Sequence, residues 1–369
     1  MPATAPAADF KLADPWMPGI DNLLINCAEV KSGANVLFIN EPSFFIERDA
    51  VEAMEERARM LGATVTSLWT GRAGGPDSIA ESIIKQIEAA DITIFNHTMG
   101  AMLRLRPIAG GGIRVLNYAT TRSLLESDYA RVAHNLWAEA SKMAIQEINR
   151  VRRWHITCDL GTEVEGVVPE SESQGIKGMD AFAIRTFPIG THRPTSSMQA
   201  RGRLAVRWFT SASLHDFGSQ GIKLEEPIML EFADGKIRGF TGNQRLIDKT
   251  VDYLEEVGNK THKEGMMINS WHAGINPQTY SPWNDDNDSL EAWMNVAHNS
   301  PHILHFHAIG ESIPGELSVP IIDPTVTMDD KKMWQGGRFL PLERPEFVAV
   351  TKRYENGERA FVDNLAIGI

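Results

Sequence analysis

The chain has 369 residues, enough for about two domains at roughly 150 residues each. Hydrophobic residues make up 43% and charged residues 23%, ordinary globular values that exclude disorder and collagen-like repeats. With 36 basic against 48 acidic side chains the net charge is −12, which argues against nucleic acid or an anionic membrane surface as partner.

Only Cys27 and Cys158 carry thiols, so no disulfide framework, zinc ribbon or C-x-x-C pair can be built. The opening Met-Pro-Ala-Thr-Ala-Pro-Ala-Ala-Asp has neither the basic nor the apolar region of a secretory leader. No apolar run reaches the roughly 18 residues of a membrane-spanning helix. A cytoplasmic location is expected.

The first half alternates strands and helices. Asn35–Ile39 (Asn-Val-Leu-Phe-Ile) reads as a buried parallel strand after the turn signal Lys-Ser-Gly. Arg48–Leu61 places Val51, Met54, Ala58 and Leu61 on one helix face, and Gly62 closes it. Thr64–Trp69 follows as a strand. Ser78–Ala90 is an expected helix capped by Asp77 or Ser78, with Ile79, Ile83, Ile84 and Ile87 on one stripe. Asp91–Asn96 and Ile113–Asn117 are further strands, and Ser127–Arg150 reads as one long amphipathic helix. This alternation predicts a parallel sheet covered by helices. Asn40-Glu41-Pro42-Ser43 follows the first strand where a nucleotide-binding fold has its glycine-rich turn, and Gly110-Gly111-Gly112 precedes a strand rather than a helix. A dinucleotide or ATP site is therefore not expected. Glu41 and His97 follow strand ends and read as loop residues.

The second half shortens its period toward two. His155–Val164 is strand-like, and Val167–Gly178 is a polar loop. Arg203–Trp208, Ile228–Phe232 and Lys236–Phe240 are short strands, the last two joined by the hairpin signal Ala233-Asp234-Gly235. Leu246–Val257 and Leu290–His298 read as helices, and Asp285, Asp286 and Asp288 as capping residues before Leu290. The expected fold is α/β: an N-terminal parallel-sheet domain over 1–150, then a β-rich α+β domain over 151–369.

Cys27–Phe38 (Cys-Ala-Glu-Val-Lys-Ser-Gly-Ala-Asn-Val-Leu-Phe) resembles the opening of the thermophilic-type metallo-aminopeptidases, a superfamily that includes the iron-dependent 2,5-dihydroxypyridine 5,6-dioxygenases. Further segments fit in order: Ala89-Ala-Asp-Ile-Thr-Ile, Gly112-Ile-Arg-Val-Leu, Ile156-Thr-Cys-Asp-Leu-Gly-Thr-Glu, Phe187-Pro-Ile-Gly, Glu226-Pro-Ile and Ala273-Gly-Ile-Asn-Pro. The resemblance implies an N-terminal α/β domain, a C-terminal β-rich domain and a homo-oligomer, with the site in the C-terminal domain. It also places the family's metal ligands at Thr191, at Ser270 and in Glu316-Leu317-Ser318. Most of that ligand set is replaced. A catalytic cation needs about three protein ligands, and an iron oxygenase two His and a carboxylate; Thr191, Ser270 and Ser318 serve neither.

Histidines are the strongest remaining signal. Eleven occur, and His272, His298, His302, His305 and His307 fall close together. On a strand, His305 and His307 face the same side, and His272 lies where the resemblance puts ligand chemistry. Any of the three can serve as a general base near neutrality. A replacement metal site of His272, His305, His307 and Glu316, holding a divalent ion, is the alternative to a metal-free one. Thr191, His192 and Ser270 are candidate donors to the substrate. Trp271, Trp283 and Trp293 are candidate aromatic walls. Ser270 with His272 resembles a nucleophile–base pair, but no G-x-S-x-G surrounds it.

The expected function is a hydrolase acting on a small aromatic or heteroaromatic compound, with His272, His305 or His307 deprotonating water and Glu316 orienting an imidazole. The alternatives are an iron-dependent ring-cleaving dioxygenase and a non-catalytic small-molecule binding protein.

Overall fold

The computed structural model describes residues 13–43, 45–104, 108–169, 184–211, 221–283, 290–311 and 315–368. The chain forms two compact units. Unit 1 takes Met1–Asn135 and Ala183–Pro188, and unit 2 takes Leu136–Phe182 and Ile189–Ile369. No single cut in the sequence expresses this division, because the chain returns to unit 1 for one strand.

Unit 1 contains β1 (Asn35–Asn40), β2 (Thr64–Trp69), β3 (Ile92–Asn96) and β4 (Ile113–Asn117). Unit 2 opens with β5 (Arg153–Thr157) and β6 (Glu163–Val167). After β7 (Arg185–Phe187), which belongs to unit 1, unit 2 resumes with β8 (Thr195–Ser196), β9 (Ala200–Ser211), β10 (Ile222–Ala233), β11 (Lys236–Thr241), β12 (Ile268–Ala273), β13 (Ile303–Ala308), β14 (Leu317–Ile322), β15 (Thr325–Met328), β16 (Lys331–Gln335) and β17 (Arg338–Phe339).

In unit 1 the strands pair in parallel in the order β2-β1-β3-β4-β7. The apolar runs explain this. Val36 to Ile39 are all buried, as a strand covered on both faces requires. The helix Arg48–Met60 buries Val51, Met54 and Ala58, and Gly62 follows it at a left-handed φ of 87°.

Three local expectations need correction. The helix over 78–90 is shorter, Glu81–Ala89, because the Ser78 hydroxyl is engaged in the preceding turn, donating to the Gly75 carbonyl at 2.7 Å. The long helix over 127–150 is two, Asp128–Arg131 and His134–Ile148. Buried Asn22 causes the break: its amide donates to the carbonyls of Ala130 (2.7 Å) and Val132 (2.8 Å) and accepts from His134 N–H at 2.9 Å. Those bonds stand in for helical ones. The strand over 155–164 is a hairpin, β5 and β6, turned at Gly161 with φ 100°. The loop at 167–178 and Asp285, Asp286 and Asp288 lie wholly or largely outside the described residues.

Unit 2 is built on a curled, largely antiparallel sheet in the order β17-β16-β15-β5-β6-β9-β14-β13-β12-β8, with β10 and β11 branching from β9. Its turn at Asp234 and Gly235 has both φ values positive, as a tight hairpin needs. One face is apolar: Trp271 and Phe306 meet Trp154 at 5.4 and 6.3 Å between ring centroids, and Phe232 meets Phe306 at 6.1 Å. The helix Gln244–Thr261 is capped by Asn243 and sets Tyr253 against Phe209 of β9. Among the described residues no helix is long and apolar enough to cross a membrane.

Candidate metal centre

Three neighbouring strands of unit 2 build the site. Ser270 pairs with His307, Trp271 with Phe306 and His272 with His305 across β12 and β13; His305 and His307 then pair with Pro320 and Ser318 of β14. Directly opposed residues share a face of a sheet. Ser270, His272, His305, His307 and Ser318 therefore share one face, and Trp271 and Phe306 point to the apolar other one. Register, rather than sequence distance, brings a residue of β12 beside two of β13.

The three imidazoles are deeply buried, at 1, 3 and 1% exposure for His272, His305 and His307. They offer ligand atoms that lie within 4.8 Å of one another. His272 Nε2 and His305 Nε2 are 2.5 Å apart, and ring centroids in the cluster are 4.1 to 4.9 Å apart.

Hydrogen bonds around the cluster set the tautomers. His272 Nδ1 is 3.0 Å from the carbonyl oxygen of His192. A carbonyl only accepts, so Nδ1 carries the proton and Nε2 of the neutral ring has the lone pair. His307 is fixed through a longer chain. The Asn269 amide donates to the Gly310 carbonyl at 2.7 Å, so its Oδ1 accepts from the Ser270 hydroxyl at 2.8 Å. With its one proton committed, Ser270 Oγ accepts from His307 Nδ1 at 2.9 Å. His307 too is then the tautomer with its lone pair on Nε2. Two nitrogen lone pairs in one buried cluster repel unless a proton or a cation stands between them. The donor set therefore fits a divalent metal held by His272, His305 and His307, with imidazole partners of the kind that orient metal-binding histidines.

Other candidates from the sequence take different places. Glu316 is buried but ion-paired with Lys263, and it is not among the groups whose ligand atoms converge. Of the four candidate ligands, the three imidazoles converge and Glu316 pairs with Lys263. Ser270 and His272 share a face, but the serine's imidazole partner is His307, and its proton goes to Asn269. Trp271 packs in the core of the opposite face, edge-on to Trp154 and, at 5.5 Å, to His192. His192 is fully buried, with Nδ1 donating to the Arg193 carbonyl (2.6 Å) and Nε2 accepting from Ala273 N–H (3.0 Å). Burial brings its pKa down to about 4, so it stays neutral. Its service is to hold β12 in place and to offer His272 a carbonyl. Thr191 bridges to Gly274 beside β12. His298 ends a helix and sets its ring 5.9 Å from His305.

Asn269, which orders Ser270, carried no signal in the sequence. Nor did Trp208, which lies 6.3 Å from Trp293, itself 6.1 Å from Trp283. Trp283 and Trp293, candidate aromatic walls, pack together in a core cluster with Ile303 of β13.

No known family model matches the sequence, and no curated protein matches it. Solved structures do. The 2,5-dihydroxypyridine dioxygenase of Pseudomonas putida KT2440 aligns over 89% of this chain and 97% of its own, at 15% identity and a TM-score of 0.61. Wild-type AmpT from Thermus thermophilus aligns over 89% of this chain and 100% of its own, at 10% identity and a TM-score of 0.50. This chain has their fold. The architecture implied by the resemblance is the one observed, and at these identities the likeness speaks for architecture alone.

Proposed function

We propose that this chain is a metal-dependent hydrolase of small aromatic or heteroaromatic molecules, with one divalent cation held by His272, His305 and His307. The observation that carries the reading is the buried imidazole cluster whose outer nitrogens are fixed by backbone and Ser270. A cation held there would lower the pKa of a water molecule toward neutrality and polarise an electron-poor carbon, as amide hydrolysis or displacement of a ring substituent needs. In this reading the imidazoles are ligands rather than bases on water. Burial keeps bulk water from the cluster, which strengthens every electrostatic interaction inside it. His192, locked neutral, adds no competing charge.

A second reading is an iron-dependent ring-cleaving dioxygenase, the activity named for the Pseudomonas putida enzyme that shares this fold. The donor set counts against it: two histidines and a carboxylate make the usual iron triad, and among the described residues the candidate carboxylate, Glu316, is paired with Lys263. A homo-oligomer is part of the proposal and is checked by light scattering.

The test is metal analysis of protein purified without oxygen, followed by turnover on a panel of aryl amides and substituted rings. About one non-iron divalent ion per chain, and activity that a chelator removes and the ion restores, is the expected result. Stoichiometric iron with dioxygen uptake would establish the second reading instead. Bound metal and tight ligand binding without product would mark a binding protein.

A further inference from the structure

The histidine face continues as a polar row. Across β8, β12, β13, β14 and β9, Ser196 opposes Ser270, Ser270 opposes His307, His307 opposes Ser318, and Ser318 opposes Thr210. Ser270 is committed to fixing His307. Thr210 differs from it: it is fully buried, and among the described residues its hydroxyl has no hydrogen-bond partner. A buried hydroxyl left unpaired costs about 1–3 kcal/mol, and valine would fill the same space without that cost. Two residues along β9, on the same face, stands Trp208, mostly buried and in contact with Trp293.

We propose that Ser318 and Thr210 form the recognition strip for an uncharged donor–acceptor group, such as a carboxamide or a ring hydroxyl, on a flat aromatic frame that lies against Trp208. This rests on the reading of the histidine cluster as the reacting centre. A hydroxyl both donates and accepts, so it matches a neutral group that does the same. Polar partners in the row are hydroxyls and imidazoles, with no cation among them. Two cations stand near Trp208 rather than in the row: Arg207, its neighbour on β9, sets its guanidinium 5.2 Å from the Trp208 ring centroid, and exposed Lys223 opposes Trp208 but directs its ammonium over Trp283. In metal-free protein a carboxylate between Ser318 and Thr210 would be buried with no counter-charge in the row itself, which costs far more than burying an amide. Specificity of this kind comes from leaving the site's buried polar atoms unpaired when the wrong ligand binds.

The test uses benzamide and benzoate as probes, titrated calorimetrically into the full chain with and without added zinc. Wild type should bind benzamide at least about 10-fold more tightly than benzoate in metal-free protein. Thr210→Val should weaken benzamide by about 5- to 20-fold while leaving thermal stability unchanged or raised, and Ser318→Ala should weaken it less. Equal binding of the two probes, or an unchanged benzamide affinity in Thr210→Val, overturns the proposal. Zinc stoichiometry from the same titrations separates the two ideas. If zinc fails to bind while the Thr210→Val loss persists, the metal reading falls and the strip stands. If zinc binds and the loss is absent, the strip falls alone.

Discussion

Unit 1 and unit 2 each bury a row of polar side chains across adjacent strands, and the two rows end differently. In unit 1, Asn40, Asn96 and Asn117 close β1, β3 and β4. Asn117 donates to Asn96 at 2.8 Å, Asn96 to Asn40 at 2.9 Å, and Asn40 to Ser67 at 3.2 Å. Just beyond, Glu41 accepts from Thr98 Oγ1 at 2.7 Å and from Arg72 at 2.8 Å, and His97 accepts from Met99 N–H at 2.9 Å. Ligands of parallel sheets usually sit at these strand ends, yet here donors and acceptors answer one another. In unit 2 the hydrogen-bond chains run inward and deliver lone pairs to a common point. Polar density alone marks neither row as a site; the direction in which the chain of donors ends separates them.

The sharpest way to break that contrast is to remove a member of each row. His305→Ala should weaken zinc or cobalt affinity by at least about 100-fold, since three ligands become two. Its fold should survive, as judged by an unchanged circular dichroism spectrum. Asn96→Ala should do the reverse. Removing the middle of the ladder leaves Asn117 and Asn40 each short of a partner, so unfolding free energy should fall by about 2–5 kcal/mol with metal affinity untouched. If Asn96→Ala impaired metal binding and left stability intact, the contrast drawn between the rows would be wrong.

A smaller effect is expected one step out from the cluster. Asn269→Ala frees the Ser270 proton, which can then go to His307 and turn that ring's lone pair away. Metal affinity should drop by about 10- to 100-fold, the usual scale for partners of ligating histidines. Glu316→Gln sharpens the same point from the other side. If the carboxylate belongs to Lys263 rather than to the cluster, metal affinity should move by less than about 3-fold. A collapse of affinity would return Glu316 to the ligand set.

How much of this was legible in the residues follows from what sets each feature. Apolar runs such as Val36–Ile39 reveal a strand because two-sided burial leaves no room for polar residues. The spacing of His305 and His307 reveals a shared face because strand period is local. Their meeting with His272 depends on the register of β12 against β13, including a shift between Ile268 and Ser270, and no local pattern encodes that. The break at Val132 was invisible for a similar reason. It is made by Asn22, 110 residues away, replacing helical bonds that the periodicity of 127–150 implied. Glu316 entered through the resemblance, at the place of the family's closing ligand pair; its ion pair with Lys263, 53 residues back, has no local signature.

His302 tests a third kind of polar group, closed like the asparagine row but able to titrate. Its Nδ1 meets Asp323 at 2.5 Å and its Nε2 meets Asp363 at 2.9 Å, so two carboxylates flank one imidazole. Burial pulls its pKa down, but hydrogen bonds and charge from Asp363 and Asp323 outweigh that, and the net shift is upward. A histidine whose pKa is higher folded than unfolded stabilises the protein fully below the unfolded value, near 6.5. The contribution then fades as pH rises through the folded value. The aspartates are partly exposed, so the gain should not exceed about 1 kcal/mol. Wild type should therefore lose its urea-midpoint advantage over His302→Gln over the window in which pH rises from about 6.5 through the raised folded value. Parallel profiles across that window would mean that the imidazole is not charged in the folded chain. Metal affinity should be the same in both proteins, because this cluster's donors end on its own carboxylates rather than on the histidine face.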